Sequence, residues 1–367
     1  MIMKNTIRCI NATLLMVVML ASSCVDQIEL NIPKGFDETI VIQGRLAQGN
    51  PALFELNVSR LFDFTVESLD RVNVRTVILE DETGNSIEIP RTGTGIYNAF
   101  INSSEMLVEP GKSYKVKVST FDGRNFESTM EPLLPVPQID SIRYTYVRRE
   151  NVFLDGVTTS RDSAIRFFVD AQLVAPNSNQ KVDLRWDVRR IFQIADTPIE
   201  FGIQQKTCYV TEEADVTRLK VFDANEFTEN TITNFQIFDQ KIDFHLSLGY
   251  SFQLIQSSLS PGAFTYFDQI SQTLERDGNM FETPAGKLVT NFTNIDDPSQ
   301  EVFGYFYVTQ SDTADVYVSP EFAEFPGQRC PPTEPPPPTG GCVDPICCDC
   351  LSEPISTTLR PGFWPPE

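Results

Sequence analysis

The chain has 367 residues, 41% of them hydrophobic, and a formal net charge of -21. That length exceeds one ordinary domain, and the apolar content is ample for two domains with real cores. So large an acid excess repels phosphate backbones and anionic headgroups, which excludes nucleic-acid binding.

Lys4 and Arg8 give the chain a cationic start, and Ile10 to Ala21 is apolar apart from Asn11 and Thr13. That run is about twelve residues long, short of the roughly twenty that cross a bilayer core, so it reads as a leader. Ala21, Ser22 and Ser23 are small enough for a narrow peptidase pocket, and Cys24 follows them. The pattern resembles a bacterial lipobox, in which leucine is more usual at the position of Ala21. The resemblance implies a signal peptide over 1–23, acylation of Cys24 and an acidic tether over 24–39. Cleavage removes Lys4 and Arg8 and no acid, so the charge becomes -23 instead of -21. Asp26 and Glu29 resemble the export signal of surface lipoproteins of the Bacteroidota. The expected location is therefore the outer membrane, held by lipid and exposed at the cell surface.

The body is written in strands. Thr83-Gly84-Asn85 joins Val77–Leu79 to Ile87–Ile89, and Tyr114, Val116 and Val118 alternate with lysines before the Asp122-Gly123 turn signal. Pro132, Pro135 and Pro137 cannot donate to a ladder and mark an extended connector, so one sandwich is expected over 40–137 and a second over 138–325. In the second, Leu184, Trp186 and Val188 alternate with charged residues. Ile242, Phe244, Leu246 and Leu248 alternate with Asp243, His245 and Ser247, which places His245 on the polar face of a strand. Ser260-Pro261 reads as a cap and first turn, and Phe264, Phe267, Ile270 and Leu274 recur at helical spacing, giving one amphipathic helix over 261–277. The expected class is mainly β: two antiparallel sandwiches of immunoglobulin or transthyretin type, followed by a Pro/Cys-rich tail over 326–367.

Cysteine usage fits an oxidising compartment. Once Cys9 leaves with the leader and Cys24 carries lipid, six remain: Cys208, Cys330, Cys342, Cys347, Cys348 and Cys350. Three disulfides are expected, with the connectivity open; any bridge from Cys208 would staple the tail to the second sandwich. A zinc site is the alternative, but no histidine lies near and the Cys-Cys-Asp-Cys cluster lacks paired Cys-x-x-Cys spacing, so no metal site is expected. Asp140-Ser141-Ile142, Asp162-Ser163-Ala164 and Asp312-Thr313-Ala314 resemble the O-glycosylation acceptor of the Bacteroidota, which makes Ser141, Ser163 and Thr313 candidates. Turns or strand starts are the plain alternative.

An ordered set of segments carries a wider resemblance. "VIQGRL", "VNVRTVILEDETGNSIEI", "GIYNAF", "PGKSYKVKVSTFDGRNFES", "LLPVPQIDSI", "YSFQLIQSSLSPGAFTYFDQI" and "VFGYFYV" occur here in the order seen in a Bacteroidota lipoprotein family, domain of unknown function 4249. Its members are commonly encoded beside TonB-dependent transporters, which implies such a transporter as a partner. The family brings no catalytic residue and no cofactor to carry over.

No nucleophile–base arrangement is signalled. His245 is the one histidine, and "GxSxG", "HExxH" and a phosphate-binding glycine loop are missing. Asp296 and Asp297 read as a plain acidic turn, with a calcium-holding loop as the alternative, and fifty acids offer too many carboxylate pairs to single one out. Tyr305, Tyr307 and Tyr317 lie in strand-like stretches where alternation turns side chains outward. The expectation is a non-catalytic accessory to a TonB-dependent transporter, capturing an unidentified ligand or covering the barrel mouth. A structural surface protein, such as an adhesin or fimbria-like subunit, is the alternative.

Overall fold

Period-two burial builds the first sandwich. Strand β1 (Ile40–Ala47) buries Ile40, Ile42 and Leu46 on one face, and β2 (Ala52–Arg60) sets Phe54, Leu56 and Val58 in the same core. The computed structural model describes residues 39–60, 70–152, 159–176, 178–197, 204–213, 220–274, 288–330 and 344–365. The leader, the tether and Cys24 lie outside them. The facing sheet contributes β3 (Thr76–Asp81), β7 (Ser113–Ser119) and β8 (Asn125–Ser128), whose Val77, Leu79, Tyr114, Val116, Val118 and Phe126 close the core from the other side. Short strands β4 (Ser86–Glu88) and β5 (Arg91–Gly93) form one edge of each sheet, with β6 (Ile96–Ile101) between β5 and β2.

The second sandwich is mainly long strands. One sheet runs β10 (Ile139–Val152), β11 (Thr159–Gln172), β15 (Thr231–Lys241). The other is built on β12 (Asp183–Ala195) and β16 (Tyr250–Leu259), flanked by β13 (Thr207–Glu213), β14 (Lys220–Phe222) and β19 (Ser311–Val318). Phe167 stacks on Phe252 across the core at 4.2 Å between ring centroids. Trp186 Nε1 donates to Gln256 Oε1 at 2.9 Å, which satisfies the polar end of a buried indole.

The two cores do not divide at the prolines as the sequence implies. Residues 288–309, expected in the second sandwich, return to the first: β17 (Phe292–Asn294) pairs with β8, and β18 (Phe306–Thr309) pairs in parallel with β1. Gly44 makes this possible, because a Cβ there would sit 3.0 Å from the Phe306 ring. The connector is bound rather than free. Leu133 is buried in the first core, the Ser258 hydroxyl donates to Leu134 O at 2.7 Å, and Gln256 Nε2 donates to Pro137 O at 2.7 Å. Val136 N–H donates to Gln310 Oε1 at 2.7 Å. The described residues from 39 onward therefore form one compact unit that holds both cores.

Helix α1 (Pro261–Leu274) is capped as its sequence implies, with Ala263 N–H donating to Ser260 Oγ at 3.1 Å. Its buried face is rotated from the expected stripe: Ala263, Tyr266, Phe267 and Ser271 are buried, while Leu274 is exposed. The expected end at 275–277 lies outside the described residues. At the start of α1 the buried Glu131 carboxylate gathers three donors. Ser260 Oγ and Tyr305 Oη each donate at 2.6 Å, and Asn291 Nδ2 donates at 3.3 Å. Burial pushes this carboxyl above its ordinary value while the donors pull the other way. Asn291 also closes a reciprocal pair with the Phe306 backbone, at 2.8 and 2.9 Å. Strand β9 (Glu131–Pro132), α1 and the returning segment thus meet at one carboxylate.

The tail is more ordered than a segment without periodicity implies. β20 (Ser356–Thr357) adds to the edge of β13, and Trp364 packs edge-on against Tyr209 and Tyr317, both at 5.2 Å.

Candidate binding edge of the first sandwich

The open end of the first sandwich is shaped by a strand that changes sheets. β4 pairs with β3, and Ile89 N–H still donates to Val77 O at 2.8 Å. Pro90 then has no N–H to continue that ladder, and the chain crosses to the other sheet, where Arg91 pairs with Tyr97. Two cavities flank the crossing, of 510 Å³ and 490 Å³, and both are lined by Glu88 and Pro90. Both are half-open depressions at the surface, with volumes inside the range of small-ligand sites, about 300–1,000 Å³.

The first cavity has a fixed floor. Tyr97 is buried, and its hydroxyl accepts from Val74 N–H at 2.7 Å and donates to Val74 O at 3.0 Å. Its rim carries Arg75, Arg91 and Phe121, and Phe121 is 70% exposed. The turn that presents this ring is tied down: Asp122 pairs with Arg124 at 2.7 Å and accepts from the Thr120 hydroxyl. The Arg124 hydrogen bond, helped by Thr120, holds the Asp122 carboxyl down to about 2. The second cavity is walled by Leu53, Ile87, Ala99 and Ile101, with Glu88, Thr92, Asn98 and Glu105 as its polar groups. Phe100 lines it and is 71% exposed. Two exposed phenylalanines flanking adjacent cavities are the kind of apolar surface that marks a binding site.

Sequence reasoning missed this edge, although two signals were present. Phe100 breaks the phase of Tyr97, Ala99 and Ile101, and so stands on the solvent face of β6. Phe121 sits beside the Asp122-Gly123 turn, where no core can receive it.

The residues singled out from the sequence lie elsewhere. Cys208 bonds to Cys350 and Cys330 to Cys347; Cys348 is also in a disulfide, and Cys342 lies outside the described residues. Among the described residues no group of three or more His, Cys, Asp or Glu is placed to hold a metal. Ser141, Ser163 and Thr313 all fall inside strands. Ser141 Oγ donates to Asp170 at 2.8 Å and Ser163 Oγ accepts from Tyr146 at 2.6 Å, whereas Thr313 is exposed on β19. Asp296 accepts from Asn125 N–H at 2.7 Å, and Asp297 accepts from Ser299, so this acidic stretch is a turn fastened to β8.

His245 is a correction. Residues 244–246 form a 3-10 turn and not a strand, because Asp243 caps it by accepting from His245 N–H at 3.1 Å. The ring is buried, edge-on to Phe192, with Nδ1 2.6 Å from Asp243. The three tyrosines of the strand-like stretches are each engaged by a neighbour. Tyr305 is buried on Glu131, Tyr307 packs edge-on against Phe267 near Arg185, and Tyr317 lies against Trp364. Arg185 and Arg45 also meet Tyr307 between the two sandwiches, but Asp187 and Glu55 neutralise them at 2.8 and 2.5 Å, which makes that cluster a joint. No helix among the described residues is long and apolar enough to cross a membrane.

A family model described as Domain of unknown function (DUF4249) matches residues 25–315. No curated protein and no solved structure matches the chain.

Proposed function

The chain belongs to the family domain of unknown function 4249, and from that premise we propose that it is a non-catalytic outer-membrane lipoprotein, accessory to a TonB-dependent transporter in nutrient uptake. Within that role we assign it ligand capture. The observation that carries the assignment is the pair of adjacent cavities around Pro90, bordered by Phe100 and Phe121. Acyl chains on Cys24 provide the anchor, each buried methylene contributing about 0.8 kcal/mol. Tethering confines the sandwich near its barrel, so a weak contact acts at high effective concentration. The leader pattern ending in Ala21-Ser22-Ser23-Cys24 and the transporter association implied by the family resemblance support this reading.

Purification of a tagged copy from solubilised outer membranes tests it. The expected result is an acylated Cys24 by mass spectrometry and co-elution of a transporter barrel; Cys24→Ser releases the protein from the membrane and loses the barrel. An unacylated chain that elutes without any barrel contradicts the proposal.

A further inference from the structure

The ligand class is narrowed by the charges around Pro90, an inference that rests on the capture reading above. Most of the described arginines hold an acid: Arg60 pairs with Asp70, Arg143 with Asp170, Arg149 with Asp162 and Arg166 with Asp239. Arg75 and Arg91, which line the first cavity, pair with no carboxylate among the described residues. Arg71, Arg148 and Arg360 likewise pair with no carboxylate among the described residues, but they line neither cavity. Glu88 is the one carboxylate on the same lining and binds neither guanidinium, so in a chain of net charge -21 this cavity keeps an excess of one positive charge, a local site for an anion.

The second cavity has the opposite sign. No lysine or arginine lines it, and it carries Glu105 together with the shared Glu88. Both Asn102 donors fall on Glu105 Oε2, at 3.0 and 3.1 Å, leaving Oε1 without a side-chain partner among the described residues. Apolar groups stand on both sides of Pro90, Phe121 beside the first cavity and Leu53 and Phe100 in the second, with Thr76, Thr92 and Asn98 among them.

We propose that these two cavities, adjoining at Glu88 and Pro90, together take a short peptide with free termini. The C-terminal carboxylate lies against Arg75 and Arg91, apolar side chains cross Pro90, and the ammonium end lies beside Glu88 and Glu105. A fatty acid satisfies the arginines, but its tail would desolvate Glu105 and Asn98 and give them no donor. A neutral sugar leaves both charged ends unmatched.

Calorimetric titration of the full-length protein with an apolar peptide of about four residues, its C-terminal amide and its N-acetyl form tests the assignment. Decanoate and neutral oligosaccharides complete the probe set. Amidation is expected to weaken binding about tenfold or more, the loss of a charge-assisted contact. Arg75→Ala with Arg91→Ala abolishes discrimination between acid and amide, and Glu105→Gln reduces discrimination between amine and acetyl. Equal affinity for acid and amide overturns the proposal, as does binding of decanoate alone. An oligosaccharide whose binding is lost in Phe121→Ala, with the peptide inert, overturns the peptide and leaves the capture reading standing. If no probe binds in a manner sensitive to Phe100→Ala or Phe121→Ala, both fall.

Discussion

Replacing Cys208 and Cys350 together by alanine is expected to lower the stability of the folded chain by about 3–5 kcal/mol. The bridge closes a loop with a sequence separation of 142 residues. In the chain-entropy account a loop of about 100 residues already contributes roughly 4.7 kcal/mol. Residual structure in the unfolded chain reduces that figure. Alanine is the right replacement because both cysteines are fully buried, and serine would add unpartnered hydroxyls. A second readout is built in. The chain has two tryptophans: Trp186 in the second core, and Trp364 at the end of the segment that the bridge holds on the sheet. Loss of the bridge should shift the emission of Trp364 to the red while Trp186 keeps its buried spectrum, and Trp364→Ala identifies the component. Urea unfolding that moves by less than about 1 kcal/mol would mean that the hydrogen bonds of β20 and the packing of Trp364 hold the tail unaided.

Gly304→Ala should cost about as much, roughly 3–5 kcal/mol, from one methyl group. Gly304 has φ +97°, a conformation that side chains rarely adopt. A Cβ there would overlap Ile42 O and lie 2.6 Å from Ile42 C. These are backbone atoms of β1, so no rotamer change relieves the clash. The returning segment would have to leave β1, losing the bonds Ile42 N–H to Phe303 O (2.8 Å) and Gly44 N–H to Tyr305 O (3.0 Å), and pulling Phe306 from the core. Gly84→Ala is the control: its φ is +88° but nothing lies within 4 Å of the added carbon, so only the backbone strain of about 1–3 kcal/mol remains. Equal unfolding free energies for the two variants would show that the parallel β1–β18 pairing contributes little.

These two predictions rest on features of unequal legibility. Strand identity was readable wherever one face is buried: Ile40, Ile42 and Leu46, or Tyr114, Val116 and Val118, keep period two because their opposite neighbours meet solvent. Alternation fails to specify which sheet receives a short strand. β18 has only four residues, and its place beside β1 is decided by the room that Gly44 leaves for Phe306 and by the close approach of Gly304 to the Ile42 backbone, contacts between positions far apart in the chain. Apolar spacing over Ile242–Leu248 mimicked a strand because Asp243 can cap a turn as well as sit on a polar face, and the buried Phe192 ring drew His245 inward. For α1 the stripe was displaced by one position. Tyr266 is buried against Tyr305, a partner that arrives only with the returning segment.

The binding edge was the least legible part. Arginine identity says nothing of whether an acid will stand opposite, so Arg75 and Arg91 could not be told from Arg60 or Arg143 before pairing was known. Phe121 and Phe100 differ from the other phenylalanines only in facing out. That distinction depends on the strand register and on the crossing at Pro90.

The most direct test of the central claim, that this edge is the working face of a tethered capture protein, is site-specific photo-crosslinking in living cells. A photoreactive residue replaces Phe100, Phe121 or, on the tail, Leu359, which is 78% exposed. The account predicts adducts with transporter or imported ligand from positions 100 and 121 and none from 359. Adducts confined to position 359 would contradict it.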